Sequence, residues 1–196
     1  GRAGAVAYLV GEVGKGLAVM FHMMNEARIA VGLGATMLGY RGYRRSLEYA
    51  RQRPQGRSLG TRTAAQVPII EHADVKRMLL AQKTYVEGGL ALGLYCAKLA
   101  DDYRTASSET ERREADASLG LLTPVAKTWP SEWGLAANDL AIQVYGGYGY
   151  ARDYDVEQLY RDNRLNAIHE GTTGIQALDL VGRKILRDEG AALAML

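Results

Sequence analysis

From residue 17 onward, apolar residues recur at steps of three and four. Met20, Met24, Ala27, Val31, Ala35 and Leu38 fall on one stripe, the pattern of a helix with one buried face. No proline interrupts before Pro54, so the spacing predicts a helix reaching residue 52. Residues 54–68 hold Pro54, Gly56, Gly60 and Pro68 and read as a connecting loop. Val75, Leu79, Gln82, Val86, Gly89, Gly93 and Cys96 then form a second stripe, predicting a helix to residue 104. The charged run DDYRTASSETERREADAS that follows reads as a solvated loop. A third stripe comprises Leu122, Ala126, Trp129, Trp133, Ala136, Leu140 and Val144. Pro130 falls inside it and predicts a kink or a break. Short helices are expected over 155–160 and 175–186. The sum is an all-α, antiparallel helical bundle.

Two features qualify this picture. Gly32, Gly34, Gly39 and Gly42 lie within the first helix, where each costs up to ~1 kcal/mol relative to alanine. That cost points to close approach by a neighbouring helix or a ligand. Ahead of the helix, AVAYLV at 5–10 reads as a short strand, and GEVGKG as a turn. A lone strand is not stable. Residues 1–16 are therefore expected to be the trailing edge of a preceding β domain with its linker, and 17–196 a helical C-terminal domain of a longer polypeptide.

Composition narrows the function classes. Hydrophobic residues make up 47% of the 196, enough for a sizeable core. Net charge is only +2, without the basic excess that nucleic-acid binding favours. Cys96 is the single cysteine, which excludes an internal disulfide framework and a multi-cysteine zinc site. No apolar run approaches the ~18 residues of a membrane span, and no signal segment opens the chain. A soluble cytoplasmic domain is expected. His22, His72 and His169 lack the spacing of a helix-borne metal pair, so no metal is expected.

Several stretches carry candidate chemistry. GEVGKG lacks the G-x-x-x-x-G-K-[ST] pattern of a phosphate loop. In QVYGGYGYARDYDVEQLYRD, residues 143–162, Gly146 and Gly147 follow the third helix. They suit a helix stop above all, and two adjacent glycines also expose N–H groups for a phosphate or a carbonyl oxygen. Arg51, Arg53 and Arg57 crowd the end of the first helix. The helix dipole favours them there without a ligand, and arginine also forms bidentate bonds to phosphate. In NAIHEGTTGIQALDL, Glu170 precedes Gly171, Thr172 and Thr173. A capping glutamate normally follows its Ser or Thr cap. Here the order is reversed, with Thr172 or Thr173 as the cap of the last helix and Glu170 in the loop before it. A loop carboxylate withdrawn from water is a stronger base.

The ordered set of QVYGGYGYARDYDVEQLYRD and IHEGTTGIQ, with MMNEARIAVG, YARQRPQGR and VPIIEHADVKRMLL, resembles the C-terminal all-α domain of flavin-dependent acyl-CoA dehydrogenases. The similarity runs from residue 5 to residue 187. It is nearest to the larger bacterial branch that acts on methylthiopropionyl-CoA and long-chain acyl-CoAs. The resemblance implies FAD-dependent conversion of an acyl-CoA to the trans-2-enoyl-CoA, with Glu170 as the base for the alpha proton. It implies that Thr172, Thr173 and Gly174 contact FAD in the same subunit. Arg53, Gln55, Gln143, Gly146 and Gly147 would hold the FAD of a neighbouring subunit, and Arg28 and Gly171 would contact substrate. Some members carry the base on the first helix, where this chain has Ala27, with Glu26 about 100° away around the helix. That favours Glu170. The implied partners are an acyl-CoA, an electron-transfer flavoprotein and further copies of the chain, as homodimer or homotetramer. The isolated chain is expected to bind FAD poorly and to be inactive. The competing expectations are an acyl-CoA oxidase and a catalytically silent oligomerisation module.

Overall fold

Three long helices, α1 (Gly16–Gln52), α2 (Ala73–Thr105) and α3 (Glu109–Tyr145), carry most of the chain. The structure is a computed structural model that describes residues 4–58, 60, 65–187 and 189–194. The side chains of Phe21 and His22 lie outside that description. Shorter helices follow: α4 (Val156–Arg164), α5 (Thr173–Leu178) and α6 (Ala191–Ala194). Between α5 and α6 the helix widens to π geometry over Asp179–Leu186.

Packing partners fix the directions. Gly39 of α1 faces Gly134 of α3, and Gly42 faces Asn138. Numbers rise together, so α1 and α3 run parallel. Gly89 faces Thr36, and Gly93 faces Leu33, so α2 runs antiparallel to both. Consecutive helices alternate in direction, as expected for the bundle. Gly32, Gly39 and Gly42 lie against α3, whereas Gly34 faces open space. Close helix approach accounts for Gly32, Gly39 and Gly42.

The third helix departs from expectation in two ways. It starts at Glu109, inside the run expected to be a loop. Ser108 closes a capping box: its hydroxyl accepts from the Glu111 N–H at 3.2 Å, and the Glu111 carboxylate accepts from the Ser108 N–H at 3.2 Å. Glu109 also pairs with Arg112 and Arg113 one turn on. Cap and i,i+4 pairing hold a polar helix that has little to bury. Pro130 does not break α3 either, which continues to Tyr145. A proline leaves the carbonyl four residues earlier without its donor. Here that carbonyl belongs to Ala126, and Gly32 of α1 packs directly onto it; a Cβ at Gly32 would collide with the oxygen.

Buried amides lock the remaining elements. Asn163 of α4 donates to the Ala35 carbonyl at 3.1 Å and to Asn138 Oδ1 at 2.7 Å. Asn138 in turn donates to the Leu38 carbonyl at 3.0 Å. Between α1 and α2, Ser46 donates to Gln82 Oε1 at 2.9 Å. Residues 5–10, expected as a strand, form none: no strand exists among the described residues to pair with them, and Val6, Tyr8, Leu9 and Val10 stand exposed.

Candidate functional site

The chain leaves α4, passes a 3-10 turn at Leu165–Ala167 and reaches Glu170 before α5 begins. Glu170 has φ +53° and Gly171 φ +89°. A left-handed backbone at glutamate costs ~1–3 kcal/mol and persists only where its surroundings enforce it. The enforcing groups come from inside the bundle. Gln176, fully buried, donates to the Glu170 carbonyl at 2.8 Å and more weakly to the Gly171 carbonyl at 3.3 Å. Lys127 of α3, 0% exposed, donates to the Gly171 carbonyl at 2.7 Å. Burial pushes the Lys127 ammonium below the ordinary lysine range, an effect opposed by Glu132 and Glu170 nearby and reinforced by Arg28.

The neighbours of Glu170 face outward. Thr172, Thr173 and Gly174 are exposed at the start of α5. Thr172 occupies the cap position without a side-chain cap bond. The Thr173 hydroxyl donates to the Glu132 carboxylate at 2.5 Å instead, so neither threonine caps with its hydroxyl. Arg28 is buried and donates to Asp179 at 2.8 Å, across from α1 to the π-helical turn. Its Nε is buried without a partner. Glu26 is tied to Arg104 at the end of α2.

A second group of candidates gathers at the C-terminal end of α3. Gly146, φ +62°, stops the helix with its N–H on the Gln143 carbonyl. Gln143, Gly146 and Gly147 are all exposed. The following turn, Gly146–Tyr150, rests on an aromatic cluster in which Tyr49 stacks on Tyr145 at 4.1 Å and Tyr154 lies edge-on to Tyr145 at 5.4 Å. Burial is the main cause that pushes both the Tyr49 and Tyr145 phenols up, keeping them neutral. The Arg53 guanidinium stacks over the Tyr148 ring at 5.5 Å, which draws the end of α1 to this turn. Gln55 joins through backbone: its N–H donates to the Val67 carbonyl at 2.9 Å, and its carbonyl meets His72 Nε2 at 2.7 Å. His72 therefore shapes the arginine loop. His169 bonds the Leu165 carbonyl at 2.9 Å.

The predicted residues thus form two groups. Glu170, Gly171, Thr172, Thr173, Gly174 and Arg28 gather around the middle of α3. Arg53, Gln55, Gln143, Gly146 and Gly147 gather at its C-terminal end. Lys127 and Gln143 are sixteen residues apart on one helix, about 24 Å at a rise of about 1.5 Å per residue. Sequence reasoning missed Lys127, Gln176, Glu132, Asp179 and Tyr148. One signal was available: Thr123, Lys127 and Ser131 repeat at i,i+4 within an apolar helix and are all buried.

A family model described as the acyl-CoA dehydrogenase C-terminal domain matches residues 14–186. The chain is 42% identical over 95% of its length to the 3-methylmercaptopropionyl-CoA dehydrogenase of Ruegeria pomeroyi. It is 41% identical over 97% of its length to a broad-specificity linear acyl-CoA dehydrogenase of Mycobacterium tuberculosis. It spans 32% of each of those relatives. Among solved structures it resembles a Bacillus anthracis acyl-CoA dehydrogenase complexed with FAD, with TM-score 0.77 and 26% identity over 94% of this chain and 32% of that one.

Proposed function

Because the chain belongs to the acyl-CoA dehydrogenase C-terminal domain family, we propose that it is the helical bundle of a longer FAD-dependent enzyme. That enzyme would oxidise an acyl-CoA thioester to the trans-2-enoyl-CoA. The relatives, about three times longer and named for acyl-CoA substrates, support this reading. The observation that carries it is Glu170: a glutamate held in a left-handed conformation, with exposed Thr172–Gly174 directly after it. Strain of that kind collects where a side chain must be aimed.

In this reading the Glu170 carboxylate takes the proton from the carbon alpha to the thioester. Its backbone N–H donates to the thioester oxygen as negative charge develops there. When bound, FAD would accept the hydride from the beta carbon. Thr172, Thr173 and Gly174 would hold the cofactor of the same subunit, and Gly171 and Arg28 the thioester end of the substrate. Arg53, Gln55, Gln143, Gly146 and Gly147 would hold the cofactor of a neighbouring subunit, in at least a dimer. Two features of the chain suit a dinucleotide there. Arg53 keeps a buried Nε without a partner, and a Cβ at Gly146 or Gly147 would meet nothing within 4 Å, so a ligand can approach the backbone. The two electrons would then pass to an electron-transfer flavoprotein. No helix among the described residues is long and apolar enough to cross a membrane.

The test uses the full-length parent, wild type and Glu170→Gln, titrated with acyl-CoAs under anaerobic conditions. Bleaching of the flavin in wild type, lost in the variant while flavin stays bound, is the expected result. Equal bleaching in both would move the base elsewhere. The isolated 196-residue chain is expected to lose flavin on gel filtration.

A further inference from the structure

Lys127 is the largest fully buried side chain among the described residues, and none of the chemistry above uses it. Burying an amine is costly unless it is hydrogen-bonded. Its bond runs to the Gly171 carbonyl at 2.7 Å, the peptide immediately after the proposed base. Other anchors of that loop are weaker or elsewhere: Gln176 reaches the same carbonyl only at 3.3 Å and bonds the Glu170 carbonyl at 2.8 Å. The side chain could have been a packed aliphatic one at no such cost.

We propose that Lys127 is a positioning residue for Glu170: by fixing the Gly171 carbonyl it holds the left-handed turn that aims the carboxylate. The inference rests on the assignment of Glu170 as the base. Three observations converge on it. Two successive positive-φ residues, Glu170 and Gly171, sit at the point of attachment. The anchor comes from the middle of α3, the helix with the most extensive packing, so the reference frame is rigid. The donor is also independent of titration, because a lysine retains N–H groups whether charged or neutral. Gln176 clamps the preceding peptide from α5. Two donors from two helices therefore grip the two consecutive carbonyls that flank the turn. The clamp lies so close to the turn that only glycine fits at 171: a Cβ there would lie 2.6 Å from the Gln176 amide nitrogen.

The full-length holoenzyme tests this with Lys127→Met, which keeps the unbranched stem to Cε and removes the donor. A loop that is no longer latched misplaces the carboxylate, and a misplacement of about 1 Å costs up to ~100-fold in rate. The expected result is at least a tenfold fall in the rate of anaerobic flavin reduction by saturating acyl-CoA, counted per bound flavin. The Kd for acyl-CoA should weaken by less than the rate falls, because in this reading Gly171 and the Glu170 N–H also meet the thioester. A purely structural role would instead reduce flavin-bearing protein and leave the per-flavin rate intact, and that outcome overturns the proposal. If Lys127→Met does not retain flavin, Lys127→Arg decides. It keeps the donor but lengthens the side chain, pushing the Gly171 carbonyl outward, and a fall of about fivefold or more per flavin is expected. An unchanged rate overturns the proposal. The Glu170→Gln variant, measured alongside, separates the two claims. If it reduces flavin as fast as wild type, the base assignment has failed; if it is inert while Lys127→Met is fully active, only the latch has failed.

Discussion

The two ends of the proposed site are built by opposite means. The Glu170 loop is gripped from within: Gln176 and Lys127, both buried, donate to its carbonyls. The Arg53 end is presented outward. Its glycines and Gln143 are exposed, and its arginine side chain lies over an aromatic face, with a buried Nε that has no partner among the described residues. A group that must be aimed at a reacting carbon needs internal anchors. Groups that only receive a ligand from another copy need exposure and an unobstructed backbone. In the proposed function the two groups, about 24 Å apart along α3, serve the chain's own cofactor and that of a neighbour.

Variants at each end should fail differently. The largest effect belongs to Glu170→Gln, expected to slow flavin reduction by ~10²–10⁴-fold, the range for a general base, with flavin content unchanged in the absorbance spectrum. Arg53→Ala should do the reverse. Loss of a charge-assisted phosphate bond, ~1.5–3 kcal/mol, should weaken FAD retention tenfold or more on dialysis, while the remaining flavin reacts at the normal rate. Next comes Gly32→Ala, which disturbs the seam that keeps the two ends at fixed separation. Its Cβ would meet the Ala126 carbonyl, and overpacking of ~1–3 kcal/mol should lower the denaturation midpoint. The smallest and opposite effect is expected at Gly34→Ala. Nothing lies within 4 Å of a Cβ there, so stability should rise by up to ~1 kcal/mol.

The periodic apolar stripes gave both ends of α1 and the C-terminal end of α2 to within a residue, whereas α2 starts two residues before its stripe. From Leu79 on the α2 stripe is the buried face, but in α1 only Ala35 of the six stripe residues is buried, and the buried row runs through Arg28, Gly32, Ala35, Gly39 and Ser46. The start of α3 was hidden for a physical reason: its first turns bury little and survive on a cap and ion pairs. Ser108-x-x-Glu111 was nevertheless legible as a capping box. Pro130 predicted a break because sequence shows the lost N–H but not who else faces the orphaned carbonyl. Gly32, itself an apparent weakness of α1, supplies that face. Each of these two residues is unfavourable alone and compatible together. At the site, Glu170 and its threonines stood out by their order in the chain. Lys127 did not, since a single lysine in a helix ordinarily reads as surface. Only its place between Thr123 and Ser131 hinted at a buried polar row. The strand expected at 5–10 has no partner among the described residues.

Complementation between two crippled chains tests the division of labour most directly. Full-length Glu170→Gln and Arg53→Glu subunits would be co-expressed with different tags, and the mixed oligomer purified through both. Each homo-oligomer alone should be inactive. In a mixed dimer unit one flavin site receives both lesions and the other receives none, so isologous symmetry predicts recovery of about half the wild-type rate. If both ends instead served the same chain's flavin, every site in the hybrid would carry one lesion. The hybrid would then be as inactive as its parents, and the account would be wrong.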